Sequence, residues 1–283
     1  MSRESTTLYR GRIAPSPTGY LHLGHAMTFW TAFRRASECG GKLLLRIEDL
    51  DRDRCRPEFR EAILEDLRWF GLRWDEGPDC GGPYAPYVQS ARSGHYLAAW
   101  KKLRADGFIY PCSCSRRDVL GAVSAPHAGD DEPLYPGTCR AKPGPIPLPE
   151  TPAGITWRFR VPHGERLVFE DLRMGLQQAL AGVDFGDFVV WRRDDIPAYQ
   201  LAVVVDDAAM RITEVVRGAD LLTSTFRQLL LYSALNLEAP AFFHCPLVTD
   251  EQGRRLAKRN AALALRSLRG QGADPVQLRR DVG

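Results

Sequence analysis

The sequence predicts an α/β protein whose parallel strands carry a ligand site at their carboxyl ends. Residues 8–14 form a short apolar run that meets two prolines and a glycine and then opens into a helical pattern. This order predicts a strand, a tight loop and a helix. Residues 42–49 form a second apolar run that ends in charge, which is typical of a buried parallel strand. In open α/β sheets, ligands collect where such strands end.

The composition of the 283-residue chain is that of an ordinary globular protein with two domains. Its formal net charge of +3 is too small to indicate a polyanion partner by itself. The sequence has no apolar run long enough for a membrane span and no secretory signal pattern. We therefore expect a cytoplasmic protein with no membrane partner. Seven cysteines in such a chain favour metal binding over a disulfide framework.

The first loop ends in His22-Leu23-Gly24-His25, where the predicted helix begins. Gly24 lets a ligand approach the backbone closely, and a helix N-terminus directs N–H groups and its positive dipole end at an anion. His22 and His25 add two donors, which suits nucleotide phosphates and the charge that develops as pyrophosphate leaves. The alternative is a helix cap with two surface histidines, because short motifs often match by chance.

Charged residues follow the second predicted strand, at the end where a site is expected. A solvated turn whose charges pair with one another would explain the pattern equally well. The residues are Glu48, Asp49, Asp51, Arg52, Asp53 and Arg54. Two helices are predicted next, over residues 57–70, where Pro57 begins the helix, and over residues 90–106.

A cysteine-rich segment follows Pro111. Cys112 and Cys114 are separated by one residue and Cys139 lies further along, with little apolar periodicity between them. A segment that cannot build its own core and carries three thiols is predicted to fold around one structural zinc ion. The fourth ligand is either His127, the ordinary choice, or Tyr135. Three free cysteines in a loop are the alternative to a metal site.

The next part of the chain suggests a small α+β insertion. Prolines recur over residues 142–154 and predict a semi-rigid connector. Short β-like runs follow at residues 156–161, 166–171 and 187–191, separated by turn residues. Residues 198–207 fit a helix by their length and a strand by their β-branched side chains, and they end in two acids.

The last third of the chain returns to the main sheet. Residues 211–217 are predicted as a strand, and residues 224–235 as a helix that Ser224 and Thr225 begin. Residues 250–259 form a basic loop.

Four sequence blocks together resemble the class I aminoacyl-tRNA synthetases, in the form carried by the glutamyl and glutaminyl group. The blocks are residues 12–25 and the segments that begin at Arg46, Val216 and Arg255, and they follow the family's order. The resemblance implies a Rossmann-like catalytic domain split by an inserted, zinc-containing subdomain of the acceptor-end type. The implied boundaries are 1–111 and 184–260 for the catalytic domain, 112–183 for the insertion and 261–283 for a C-terminal tail.

The resemblance also implies an enzyme that activates an amino acid with ATP, accompanied by Mg²⁺, and then transfers it to RNA. ATP would be held by His22, Gly24, His25 and Lys258, of which His22, His25 and Lys258 would be catalytic. A substrate with two carboxylates and one ammonium requires arginines and an acid. The implied L-glutamate contacts agree: they are Arg12, Ile13, Ala14, Pro15, Ser16, Glu48, Tyr199 and Arg217. In the fourth block, Arg255 and Ala257 replace the family's usual lysine and serine.

Within this group, the cysteine insertion and the end of the chain resemble a branch that modifies tRNA. Few residues follow Arg259, so we expect no anticodon-binding domain, and the family's Tyr-x-x-x-Cys spacing favours Tyr135 as the fourth zinc ligand beside Cys112, Cys114 and Cys139. This resemblance implies a monomeric enzyme that forms the glutamyl-adenylate without tRNA and then transfers glutamate to queuosine in the anticodon stem-loop of tRNA(Asp). The alternatives are a truncated glutamyl-tRNA synthetase that charges a tRNA 3′ end, and an inactive paralogue that binds nucleotide or RNA.

Overall fold

The first strand, loop and helix form as the sequence predicts. The computed structural model describes residues 8–115, 118, 134–140, 148–247 and 264–281. Strand β1 (Arg10–Ile13) pairs in parallel with β2 (Lys42–Leu45), and helix α1 (Leu23–Glu38) connects them. The three leucines of β2 are all buried, because both faces of this strand are covered.

Helices α2 (Pro57–Trp69) and α3 (Ser93–Ala105) confirm the next two predictions. Pro57 lies in the first turn of α2, where its missing N–H breaks no helical hydrogen bond, and the buried face of α2 includes Ile63 and Leu67. A 3₁₀ turn over Gln89–Ala91 precedes α3, so this helix begins slightly later than predicted.

The middle of the chain consists mainly of strands. Strand β3 (Ile109–Cys112) pairs antiparallel with β4 (Thr156–Phe159). Strands β5 (Arg166–Asp171) and β6 (Gly175–Leu180) form an antiparallel hairpin. Strand β7 (Val189–Trp191) then completes a three-stranded sheet in the order β3-β4-β7.

These strands confirm the three predicted β-like runs and add β6, which the sequence did not indicate. Most side chains of β6 are exposed, and the strand includes two adjacent glutamines. A strand that buries so little carries no clear alternation of apolar and polar residues.

The segment that fitted either a helix or a strand forms helix α4 (Tyr199–Ala209). Its residues from Gln200 to Asp207 are all buried. A helix enclosed on every side lacks the polar face that would have revealed its 3.6-residue period.

Strand β8 (Glu214–Gly218) confirms the predicted strand, and helix α5 (Leu222–Leu235) follows a 3₁₀ turn. The predicted start of α5 was wrong, because Ser224 and Thr225 lie inside the helix and do not cap it. Their hydroxyl groups are used in tertiary contacts: Ser224 accepts a hydrogen bond from Gln200, and Thr225 accepts one from Arg217.

Strand β9 (Ala241–Cys245) pairs in parallel with β8, and β5 joins the other side of β9 through Asp171 and Phe242. Strand β8 lies beside β1, where the N–H of Thr213 donates to the carbonyl of Arg10 at 2.9 Å. The carboxyl ends of β1, β2, β8 and β9 therefore meet at one edge of the molecule.

Two short helices, α6 (Leu265–Gly270) and α7 (Pro275–Asp281), follow. The start of α6 returns to the first loop, since the N–H of Leu265 donates to the carbonyl of Leu21 at 2.7 Å. Within the part of the chain that the structure describes, no helix is long and apolar enough to cross a bilayer. The predicted basic loop at residues 250–259 and residues 142–147 of the proline-rich connector lie outside the described residues.

Candidate active site

A cavity of about 750 Å³ opens at the edge where the parallel strands end. Its walls come from residues of β1 and β8, from the segments that follow β1, β2, β8 and β9, from the first two turns of α1 and from the first residue of α4. This is the position at which open α/β sheets bind their ligands. Ala264 and Ser267 close one side of the cavity, because the start of α6 packs back against the first loop.

Most of the predicted site residues line this one cavity. Ile13 does not, because its side chain is fully buried in the core while its carbonyl accepts a hydrogen bond from the N–H of Arg46. Lys258 and His127 lie outside the described residues. The predicted residues that line the cavity are Arg12, Ala14, Pro15, Ser16, His22, Gly24, His25, Glu48, Tyr199 and Arg217.

The first turn of α1 forms the part of the cavity suited to phosphate. His22 occupies the N-cap position in an extended conformation (φ −102°, ψ 164°), and its side chain makes no capping hydrogen bond. The rings of His22 and His25 stack with their centroids 3.8 Å apart, so both imidazoles lie at the same end of the helix. The positive end of a 16-residue helix and the backbone around Gly24 thus border the cavity beside two imidazole rings.

Arg217 is a buried guanidinium that also lines the cavity. Its side-chain N–H groups donate to Nε2 of His244 at 3.2 Å, to Oε1 of Gln228 at 2.8 Å and to Oγ1 of Thr225 at 2.7 Å. Among the described residues, no carboxylate lies within ion-pair distance of it. Burial lowers the pKa of Arg217, because the charged form has lost water without gaining an anion.

Arg12 and Glu48 also line the cavity. Arg12 Nη1 donates to the carbonyl of Val216 at 3.1 Å, and its Nε lies 3.4 Å from Oδ1 of Asp207. Glu48 accepts a hydrogen bond from Arg46 Nη2 at 2.9 Å. Burial raises the pKa of Glu48, and the positive charges of Arg46 and Arg12 oppose that effect. The cavity thus combines two guanidinium groups with one carboxylate.

The sequence analysis assigned none of the residues that surround Arg217 to the site. His244 lies in an apolar strand, and Thr225, Gln228 and Gln200 lie on helices. A search for periodic apolar residues does not report these polar positions. Gln228 donates to Gln200 at 2.9 Å, which extends the neutral network. A histidine within an apolar run, Phe242-Phe243-His244-Cys245, is the one available signal, because a buried imidazole requires hydrogen-bond partners.

A second candidate site lies at the end of β3. The sulfur atoms of Cys112, Cys114 and Cys139 lie within 4.8 Å of one another, and this cluster could bind a metal ion. The hydroxyl of Tyr135 lies 3.4 Å from the sulfurs of Cys112 and Cys114. Burial would raise the pKa of Cys139, but hydrogen bonds from Tyr135 and Ser113 lower that pKa to about 6. The structure therefore brings together four predicted ligands.

Arg158, on β4, also contacts this cluster and was not predicted. Its Nε donates to the sulfur of Cys112 at 3.4 Å, and its guanidinium lies over the ring of Tyr135, 4.0 Å from the centroid. Nη1 of Arg158 donates to the carbonyl of Asp187, which holds the side chain in this position. The arginine places one positive charge beside three thiols.

Comparisons with known proteins agree with this geometry. The family model described as tRNA synthetases class I (E and Q), catalytic domain, matches residues 9–282. A glutamyl-Q tRNA(Asp) synthetase of Nitratidesulfovibrio vulgaris is 50% identical over 275 residues, covering 94% of this chain and 82% of the relative. A protein of the same name from Symbiobacterium thermophilum is 50% identical over 268 residues, with coverage of 94% and 82%.

A solved structure shows the same architecture. The glutamate-tRNA synthetase of Elizabethkingia anophelis superimposes with a TM-score of 0.78 at 33% sequence identity. The match covers 89% of this chain and 53% of that structure, so the chain spans about half the length of the solved relative.

Proposed function

The chain belongs to the class I tRNA synthetases of the glutamyl and glutaminyl group, and from this premise we propose that it joins L-glutamate to queuosine. In the first step, ATP would activate glutamate to an acyl-adenylate with release of pyrophosphate. In the second, a hydroxyl of the queuosine cyclopentene ring in the anticodon loop of tRNA(Asp) would attack the activated carbonyl and release AMP. The product would be an ester of glutamate on the tRNA.

The observation that supports glutamate as the substrate is the environment of Arg217. This guanidinium is buried in the cavity wall, and its hydrogen-bond partners among the described residues are neutral. A buried cation without an anion is costly, and a substrate carboxylate would supply the missing charge. Arg12 offers a second guanidinium and Glu48 a carboxylate for an ammonium group, so the charges of the cavity complement those of glutamate.

The α1 end of the cavity supports the proposal for ATP. His22, Gly24 and His25 border the place where the helix dipole favours negative charge. Lys258 would add one ammonium from residues that the structure does not describe, and Mg²⁺ would be bound mainly by the phosphates and water. Catalysis would then consist of positioning two reactants and stabilising the charge that develops on the leaving pyrophosphate.

The RNA acceptor is proposed from the relatives. The two relatives at 50% identity carry the name glutamyl-Q tRNA(Asp) synthetase and are covered to 82% of their length, whereas two relatives named glutamate–tRNA ligase are 42% and 43% identical and are covered to 57% and 56%. The tRNA(Asp) anticodon stem-loop is therefore the proposed partner, and the tRNA 3′ end is the competing one.

We also propose that Cys112, Cys114, Tyr135 and Cys139 hold one structural zinc ion. The three thiols are close enough to share a metal, and the Tyr135 hydroxyl lies beside two of them. Thiolate sulfur is a preferred zinc donor, and four ligands complete a tetrahedral site.

The first step can be tested without RNA. Glutamate-dependent exchange between ATP and labelled pyrophosphate should be readily measured, and glutamine should support it at least about 100-fold less well, because it lacks the carboxylate that a buried arginine requires. Equal exchange with the two amino acids would contradict the assignment of the cavity. Absence of exchange with both would favour an inactive paralogue.

The second step requires a choice of acceptor. An isolated anticodon stem-loop of tRNA(Asp) that carries queuosine should accept labelled glutamate, and the same stem-loop with unmodified guanosine should not. Charging of the 3′-terminal adenosine of tRNA(Glu), with no transfer to the queuosine stem-loop, would make the chain a glutamyl-tRNA synthetase instead.

A further inference from the structure

A chain of three buried polar side chains runs from the β5–β6 hairpin to the cavity. The side chains of Asp171 and His244 are both fully buried, and Nδ1 of His244 lies 2.6 Å from Oδ2 of Asp171. Nε2 of His244 accepts a hydrogen bond from Nε of Arg217 at 3.2 Å and also lies 3.1 Å from Oγ1 of Thr225. The three residues lie on β5, β9 and β8, so the chain crosses the sheet from one strand to the next.

The partners of His244 determine where its proton lies. The Nε–H of Arg217 can only donate, so Nε2 of the imidazole must act as an acceptor and carry no proton. Nδ1 then carries the single proton and donates it to the carboxylate of Asp171. Burial and the charge of Arg217 lower the pKa of His244, which agrees with a neutral ring.

The carboxylate of Asp171 is itself held in one orientation. Its Oδ1 accepts hydrogen bonds from the backbone N–H groups of Arg173 and Met174 at 3.1 and 2.8 Å. Its other oxygen is thereby directed at the imidazole. The turn of the β5–β6 hairpin thus holds the carboxylate of Asp171 in place, and the carboxylate sets the tautomer of His244. The tautomer determines whether Nε2 can accept a hydrogen bond from Arg217.

We propose that His244, held by Asp171, is a positioning residue that sets the orientation of the Arg217 guanidinium for the amino-acid carboxylate. This inference rests on the proposed role of Arg217 in binding glutamate. Thr225 and Gln228 orient the two terminal nitrogens of Arg217, and His244 occupies Nε. With Nε engaged, the plane of the guanidinium is fixed, and its remaining N–H groups can be presented to the substrate.

Two substitutions at residue 244 separate orientation from packing. His244→Phe keeps the ring volume but removes the acceptor, whereas His244→Gln can keep an acceptor near the position of Nε2. In ATP–pyrophosphate exchange, His244→Phe should raise KM for glutamate about 10–50-fold, the size of one lost hydrogen bond to a charged group, with little change in kcat or in KM for ATP. His244→Gln should restore KM to within about fivefold of the wild type.

Phe243→Leu is the matched control, because it alters the neighbouring position of β9, whose side chain points to the other face of the sheet. This variant should leave KM for glutamate unchanged. A wild-type KM in His244→Phe would overturn the proposed role of His244.

The tautomer can be measured in the unsubstituted protein without any assay of activity. With ¹⁵N-labelled histidine, the His244 ring should show a protonated Nδ1 and an unprotonated Nε2, and loss of these signals in His244→Phe would identify them among the six histidines. A proton on Nε2 would refute the inference even in an active enzyme. Absence of glutamate-dependent exchange in an enzyme with the expected tautomer would instead refute the proposed function.

Asp171→Asn offers an independent check. The backbone N–H groups of Arg173 and Met174 should retain the amide oxygen, which turns the amide nitrogen toward Nδ1 of His244. Nδ1 must then accept and Nε2 must carry the proton, directly facing the Nε–H of Arg217. We expect the ¹⁵N signals to show the reversed tautomer and KM for glutamate to rise as in His244→Phe. An unchanged tautomer together with an unchanged KM would contradict the proposal.

Discussion

Two buried arginines of this protein differ in the charge of their partners. Arg46 donates to Asp207 at 2.7 Å and to Glu48 at 2.9 Å, and Asp206 lies 3.7 Å away. Burial would lower the pKa of Arg46, but these three carboxylates raise it well above its usual value. Within the described part of the chain, Arg217 donates only to neutral partners. The charge of Arg46 is thus satisfied by the fold, whereas that of Arg217 is available to a ligand.

Arg217→Met should therefore reduce substrate binding more than stability. The substitution leaves the acceptors of His244, Gln228 and Thr225 without their donor, but it also removes a buried charge that the described residues do not neutralise, so we expect the free energy of unfolding to fall by no more than about 2 kcal/mol. Glutamate-dependent exchange should fall by at least about 100-fold, because the substrate carboxylate loses its charged partner. Urea denaturation and exchange kinetics measure the two effects. A large loss of stability with wild-type KM for glutamate would show that Arg217 is structural.

The imidazole of His244 should make the stability of the protein depend on pH. Its pKa is lowered in the folded state, where burial and the charge of Arg217 outweigh Asp171 and the more distant Asp220. The unfolded chain therefore binds the proton more readily. The stabilising contribution is complete above the unfolded pKa of about 6.5 and is lost as the pH falls toward the folded pKa, by at most about 1.4 kcal/mol per pH unit.

Urea midpoints at about pH 7.5 and about pH 5.5 test this effect across the unfolded pKa of histidine. The wild type should lose more stability between the two values than His244→Phe, which has no proton to bind at this position. Parallel losses in the two proteins would show that other groups dominate this pH range.

At the scale of elements, strands β3 and β4 assemble the cysteine cluster. Cys112 ends β3 and Arg158 lies on β4, and these two strands pair antiparallel. Cys114 follows β3, while Tyr135 and Cys139 come from the segment between the strands. The guanidinium of Arg158 can offset the negative charge that three thiolates carry in excess of one zinc ion.

The purified protein should contain about one equivalent of zinc per chain, and Arg158→Met should lose it to a chelator about 10–100-fold faster. Arg160→Met is the matched control. Arg160 follows β4 and stacks over Tyr110, and its hydrogen bond runs to the carbonyl of Arg140 and not to a sulfur. Metal analysis and the rate of zinc release measure both effects. Zinc below about a tenth of an equivalent would contradict the metal site.

At the scale of the whole molecule, a buried ionic network joins two hydrophobic clusters. One cluster contains the buried faces of α1, α2, β1 and β2, and the other contains buried residues of α3, α4 and α5 and of the strands β3, β4, β6 and β7. Asp206 on α4 accepts hydrogen bonds from Arg92 at 2.6 Å, Gln89 at 2.8 Å and Tyr96 at 2.9 Å. Arg46 follows β2 and reaches toward the same acid, so the network spans the boundary between the clusters.

Asp206→Asn should therefore destabilise the whole molecule and not a single element. All three hydrogen-bond partners of Asp206 are donors, so the amide nitrogen would face a donor and one buried charge would be removed. We expect a loss of about 3 kcal/mol in the free energy of unfolding, observed in a single shifted transition. Glu38→Gln, which removes an exposed ion pair with Arg34, should change it by less than about 0.5 kcal/mol. Equal effects of the two substitutions would contradict this role for Asp206.

The sequence by itself determined those features that depend on neighbours along the chain. Examples are the apolar runs of β1 and β2, the proline at the start of α2 and the histidines at the start of α1. Each of these features involves residues of one strand or of one or two helical turns. Local patterns report such features directly. The same holds for the cysteine and tyrosine residues near β3, whose types indicate a metal site before their positions are known.

The tertiary structure decided what depends on contacts between distant segments. Residues 199–209 form a helix, and Ile13 is buried in the core. Ser224 and Thr225, predicted to cap a helix, instead form hydrogen bonds in the network around Arg217. The tertiary structure also joined Asp171, His244 and Arg217, which lie on three different strands. The physical reason is that a buried polar group must find a partner somewhere in the fold, and no pattern of neighbouring residues indicates which distant segment will provide it.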